Sequence, residues 1–204
     1  NLNEDYFLQD STHEIARQTA LILRHQDEIP LVRVRNIQEG QAEGLLQILI
    51  YQPSRPGQFA TTTITLEQLN LNIHHARVSS FPNTCSLSIY VVSPTFPEPE
   101  FAVAKEEIKE ELVTQLQLQK EGKTKKIVSK LTSRLLKHFS FPSEVLIGFD
   151  NATNRTTLEV ITPDRPGLLA RIAKVFREQQ IGLVSARIAT LGERVEDVFV
   201  ITDK

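Results

Sequence analysis

The chain has 204 residues, 40% of them hydrophobic and 24% charged, with 23 basic residues against 25 acidic ones. That size buries a real core and suits two modules of about a hundred residues each, while the near-neutral balance excludes a generic binder of nucleic acid or anionic membrane. No apolar run approaches the roughly 20 residues of a membrane helix, the N-terminal Asn1 to Asp5 has no signal-peptide character, and a lone Cys85 makes neither an internal disulfide nor a thiolate metal site, so a cytoplasmic protein is expected.

In chain order, Ile15, Ala16, Thr19, Ala20, Ile22 and Leu23 recur at helical spacing behind a start signal at Ser11 or Thr12, which predicts a helix over Ser11 to His25. Pro30 ends it, Leu31 to Val34 read as a short strand, and a loop with Gln38, Gly40 and Gly44 follows. Leu45 to Tyr51 is a dense apolar run and predicts a strand, Gln52 to Pro56 break it, and Gln58 to Leu69 read as a helix. Asn72 to Ser80 and Leu87 to Val92 are strands around a turn at Pro82 and Asn83. Beyond Pro94, Pro97 and Pro99, a helix is expected over Ala104 to Lys120, then an amphipathic stretch over Ile127 to Leu136 and a strand over Glu144 to Phe149. The remainder reads as a strand (Leu158 to Ile161), a helix (Leu168 to Gln179), a strand (Leu183 to Ile188), a turn at Gly192 and a strand (Val195 to Ile201).

Arg55-Pro56-Gly57 with Ala76-Arg77-Val78 recurs as Arg165-Pro166-Gly167 with Ala186-Arg187-Ile188, and both pairs lie 110 residues apart. A chance tripeptide repeat would not preserve its distance to a second one, so the chain holds two copies of one supersecondary unit. The expected fold is α+β: tandem ferredoxin-like βαββαβ modules with antiparallel sheets. Residues 1–43 form a helix and connecting segment from a preceding domain, and 44–150 a first module with a helical insert, completed by the strand at Glu144 to Phe149. Residues 151–204 form a second module that stops after its third strand and lacks its last helix and strand. With no initiator Met and no Met at all, the chain reads as a piece of a longer protein.

The chemistry sits at the repeated turn. In Thr162 to Leu169 a strand runs into a helix through Asp164-Arg165-Pro166-Gly167-Leu168; Pro166 suits a first helical position and Gly167 permits close approach to the backbone. Free amides and the positive dipole end meet there and can hold a carboxylate, with Asp164 available for a cap or an ammonium group. A merely well-capped turn is the alternative. Asp164 to Leu169, with Ala186 to Phe199 and its Gly192-Glu193-Arg194-Val195-Glu196-Asp197 run, resembles an ACT domain. More narrowly, the chain resembles the C-terminal tandem ACT region of the bifunctional uridylyltransferase and uridylyl-removing enzymes that act on PII signal proteins.

That resemblance implies a regulatory region sensing glutamine or a related amino acid, coupled to PII through the parent enzyme, whose nucleotidyltransferase and phosphodiesterase activities, with Mg²⁺, lie elsewhere. A homodimer is compatible with it, and an ACT pair serving only as a dimerisation or interdomain contact, without ligand, is the alternative. Ligand residues implied for the second turn are Asp164, Arg165, Pro166, Gly167 and Leu168, and for the first Ser54, Arg55 and Gly57. The following strand starts add Asn72 and Ile73, and Gly182, Leu183 and Val184. Ser54 stands where the second copy has Asp164, and Gln58 where it has Leu168, which ranks the second turn first.

No catalytic residue, metal site or cofactor is expected within this stretch. It lacks the paired carboxylates that hold Mg²⁺ for phosphoryl transfer, and a nucleophile with a base at suggestive spacing. Adjacent strand residues face opposite ways, so His74 and His75 make a poor metal pair. Arg77 and Arg187 suit a carboxylate partner as well as a ligand, and the basic residues Lys123, Lys125, Lys126, Lys130, Arg134 and Lys137 read as a solvated face that can also meet a partner. An RNA-recognition module shares the strand order, but its sheet aromatics in a basic signature are missing.

Overall fold

The computed structural model describes residues 11–25, 27, 29–37, 44–80, 84–94, 101–123, 142–165 and 167–202. The expected stretch Ile127 to Leu136 lies outside the described residues, as does Pro166. The elements are α1 (Thr12–Arg24), β1 (Leu31–Asn36), β2 (Leu46–Gln52), α2 (Gln58–Gln68), β3 (Leu71–Ser80), β4 (Ser86–Pro94), α3 (Phe101–Lys120), β5 (Glu144–Asp150), β6 (Arg155–Pro163), α4 (Leu168–Glu178), β7 (Gly182–Leu191) and β8 (Arg194–Thr202). The eight strands of the described residues join one antiparallel sheet in the order β1-β2-β4-β3-β7-β8-β6-β5.

The two halves meet at β3 and β7, where Ala76 pairs with Ile188, Arg77 with Arg187 and Val78 with Ala186. Under the 110-residue repeat Arg77 maps onto Arg187, its own partner, so a pseudo-two-fold axis passes between them. The motif that reveals the duplication is therefore also the joint. Both joint strands carry a register shift at the same place, Ile73/His75 and Leu183/Ser185. Just past the C-cap of each preceding helix stands a left-handed non-glycine residue, Asn70 (φ 56) and Gln180 (φ 58). Such equivalent irregularities re-aim each strand start in the same way.

The edge strands correct the sequence reading. The strand over Glu144 to Asp150 does not complete the first module: it pairs with β6, from Glu144↔Ile161 to Asp150↔Arg155. The first half instead closes with β1, which pairs with β2 from Leu31↔Tyr51 to Asn36↔Leu46. Each half thus takes its fourth strand from the chain that precedes it, and the second half does not lack one. A hairpin forms across a short connection at little entropic cost, which favours these local partners over the distant one.

Three helices cover one face of the sheet, with α2 packed between α3 and α4. This explains why α2 is buried from Gln58 to Leu66 despite Thr61, Thr62, Thr63 and Thr65. Two of those hydroxyls donate back to the helix, Thr63 Oγ1 to the Phe59 carbonyl (2.9 Å) and Thr65 Oγ1 to the Thr61 carbonyl (2.7 Å), and so enter the core satisfied. Beneath lie Ile48, Ile50, Ala76, Val78, Tyr90, Ala186, Ile188 and Phe199.

α1 packs on other sheet residues, Leu49, Leu87 and Tyr51, through Ile15, Leu21 and Ile22. Its Glu14 accepts from Arg17 of the same helix (3.0 Å) and from Arg35 of β1 (3.3 Å), and the second bond ties the helix to the edge strand. The Arg17 hydrogen bond, helped by Gln18 and against partial burial, keeps the Glu14 carboxyl at about 2 rather than 4.5. A depressed carboxylate stabilises the fold above the unfolded value and loses that contribution as pH falls from about 4.5 towards 2. Glu14→Gln should therefore cost about 1–2 kcal/mol at pH 6, allowing for solvent screening of the pair, and nothing at pH 2, as read by denaturant melts.

Candidate ligand-binding site

The sheet joint places the turn of each repeat against the helix end and strand start of the other. On one side of the dyad this leaves a cavity of about 290 Å³. The first repeat contributes Ser54 to Ala60, with Val78, Ser80, Ser86 and Ser88; the second contributes Ala173, Phe176, Arg177, Ile181 to Val184 and Thr202. Six residues singled out in the sequence, Ser54, Arg55, Gly57, Gly182, Leu183 and Val184, thus line one space. Arg177 and the three serines of β3 and β4 were missed, because nothing in a single copy says which faces of the other will oppose it. The repeat combined with the antiparallel joint would have pointed to Arg177.

The first turn is held from behind. Gly57 is left-handed (φ 80) and no side chain caps α2. Gln119 of α3 donates to the Pro56 carbonyl (2.7 Å), and Gln58 turns back to the Pro53 carbonyl (2.5 Å). Ser54 and Ser80 share a hydroxyl hydrogen bond of 2.6 Å. The start of α2 therefore faces a cavity with two arginines and several hydroxyls above an apolar floor of Phe59 and Phe176. A helix N-terminus with nearby cations suits a carboxylate, hydroxyls suit an amide or ammonium group, and the volume suits a small molecule.

By the 110-residue offset, the equivalent place across the dyad is that of Asp164, Arg165, Gly167 and Leu168 with Asn72 and Ile73, and there a side chain of the first repeat meets the turn glycine. A Cβ on Gly167 (φ 73) would collide with the Glu67 carboxylate of α2, whose Cδ would stand 2.8 Å away. The first turn thus opens on a cavity, while a side chain of the other repeat lies over the second. A bulky residue at Gly167 is also no clean probe of ligand binding, since it meets both backbone strain and Glu67.

Behind the second turn is Asp197, 1% exposed, with no hydrogen-bond partner for either carboxylate oxygen. Burial pushes its carboxyl up to about 7; the nearby Ala189 amide opposes this without reaching hydrogen-bond geometry, and the charge of Asp164 adds to it. His74 bonds Ser93 (2.7 Å) and is held below the usual histidine range by burial and by His75, against Asp164. Arg77 and Arg187 face each other on the dyad and do not line the cavity. Among the described residues no group of three or more His, Cys, Asp or Glu is arranged to hold a metal ion, and no helix is long and apolar enough to cross a membrane.

Residues 156–204, which hold β6, α4, β7 and β8, match the family model of the ACT domain, a class of regulatory ligand-binding module. The particular relatives are bifunctional uridylyltransferase/uridylyl-removing enzymes. The chain is 40% identical over 208 residues to that of Stutzerimonas stutzeri (strain A1501) and 42% identical over 205 residues to that of Pseudomonas fluorescens (strain SBW25), in each case over 99% of this chain and 23% of the relative. The chain thus spans under a quarter of the length of these relatives, in their ACT-containing region. Among solved structures, an aspartate kinase from Synechocystis aligns with 83% of this chain and 26% of its own, at 16% identity and a TM-score of 0.42.

Proposed function

We propose that the cavity at the first turn binds glutamine or a related amino acid, and that this region lends its longer parent protein an amino-acid signal. The observation that carries this is the cavity's double lining: Ser54 to Ala60 from one repeat and Phe176 to Val184 from the other. A ligand held by both repeats prefers one arrangement of the pair. Differential affinity of this kind, worth about 1–3 kcal/mol in ordinary allosteric coupling, is what shifts an equilibrium. In this reading the parent is a cytoplasmic enzyme with opposing uridylylation and deuridylylation activities towards a PII protein, with catalytic sites and any Mg²⁺ outside this chain. Similarity to the bifunctional enzymes supports it.

Calorimetric titration with L-glutamine tests the reading. Saturable heat is expected, with a stabilisation of about 2.7 kcal/mol at a hundred times the dissociation constant. No heat and no shift in melting temperature at millimolar glutamine would favour the alternative, an ACT pair that only joins domains or subunits.

A further inference from the structure

The two turns are equivalent in backbone and each carries its own arginine, Arg55 or Arg165, but the other repeat lays opposite charges over them. The residue that lies over the turn glycine of the other repeat is the same in both halves by the 110-residue offset: Arg177 over Gly57 and Glu67 over Gly167. At the first turn, the position of a Gly57 Cβ is 3.5 Å from Arg177 Cδ, so the cavity gains a cation. At the second, a carboxylate of the chain itself rests on the glycine that opens α4, a helix with no side-chain cap of its own. Carboxylates favour such helix starts.

We infer that Glu67 is a built-in occupant of the second turn, standing where the carboxylate of an amino acid would bind, so that the tandem carries one exchangeable site rather than two. The inference rests on the reading that these turns take amino acids. An independent observation supports it. Asp197 pairs with Ile188, as Ser88 pairs with Val78, so it takes in the second half the place that Ser88 takes in the wall of the first cavity. The second turn therefore has Glu67 in front, buried Asp197 behind and Asp164 beside it, against Arg177, Ser88 and Ser54 at the first. The charges of Glu67 and Asp164, beside a buried carboxyl that has no room to ionise freely, disfavour a further anion unless Glu67 leaves.

The ¹⁵N-labelled chain separates the possibilities, with acetate as a bare carboxylate probe and L-glutamine as the second titrant. In the wild type, acetate should shift the amides of Phe59 and Ala60 and leave those of Leu169 and Ala170 in place. In Glu67→Ala it should shift both sets, with at least tenfold tighter binding at the second, and glutamine should go from one to two equivalents per chain; Glu67→Gln, which keeps the side-chain shape, should respond in the same direction. Acetate acting on both turns of the wild type, or a second turn silent in both variants, overturns the inference. Should glutamine bind nowhere while acetate discriminates in this way, the glutamine reading fails and the occupancy of the second turn by Glu67 stands.

Discussion

Replacing Phe199 by Ala is expected to cost about 3–5 kcal/mol, the usual loss for emptying a buried aromatic position. Phe199 is fully buried in β8. Its ring meets the edge of Phe59 from α2 at 6.2 Å and 66°, and of Phe176 from α4 at 5.2 Å and 90°. One side chain thus joins both repeats beneath the cavity, because Phe59 and Phe176 form its floor. The loss is a large share of the roughly 5–15 kcal/mol that hold a domain together. Chemical denaturation should show it, and ligand affinity should fall along with stability because the floor loses its support. A change under about 1 kcal/mol would mean that the two halves are not coupled through this cluster. Phe199→Leu keeps much of the volume and should cost less.

Asp197→Asn is expected to do the reverse and stabilise the protein at neutral and alkaline pH. Folding lifts this carboxyl from 3.8 to about 7, chiefly through burial. The folded chain therefore keeps a proton that the unfolded chain releases. Its contribution is favourable below about pH 4, declines as pH rises from about 4 to about 7, and is flat above that. The penalty above pH 7 is on the order of 4 kcal/mol, an upper bound because the site can relax and admit water. Asparagine has the same shape and no charge to bury. The variant should match the wild type near pH 4, exceed it by up to a few kcal/mol at pH 8, and lose the slope between, as read by melts across that range. A wild-type profile flat from pH 4 to 7 would mean that Asp197 is ionised in the fold. Glu14 acts in a separate window below about pH 4.5 and with the opposite sign, so the two variants together should account for a stability maximum near pH 4 to 5.

Much of the fold was legible because local rules and duplication speak through adjacent residues. The apolar run before Gln52, the helix that starts at Leu168 and the turn glycines at 57 and 167 each follow from spacing and backbone freedom alone, although the buried face of that helix is Leu169, Ala170, Ala173 and Phe176. The six residues around the first cavity were likewise within reach, three from the turn and three from a strand start. Strand partnership was not. Glu144 to Asp150 reads as a good strand wherever it pairs, and only the register with β6 shows which half it closes. The surroundings of the two turns were not legible for a related reason. Asp164 looks like the better ligand group in isolation, yet Glu67, about a hundred residues earlier in the chain, already lies over Gly167.

By itself, then, the sequence determined that Arg-Pro-Gly with Ala-Arg is a duplicated unit, that each copy is strand, turn, helix and two strands, and that each turn presents a helix start to a possible ligand. These are properties of short segments, set by side-chain period, turn residues and offset. Tertiary structure alone decided that the Ala-Arg strands pair with each other across a pseudo-two-fold axis, that Arg177 faces Gly57 while Glu67 faces Gly167, and that Asp197 is buried without a hydrogen-bond partner. The physical reason is that charge and burial belong to pairs of surfaces. Two turns with one backbone become different sites when the other repeat lays opposite charges over them.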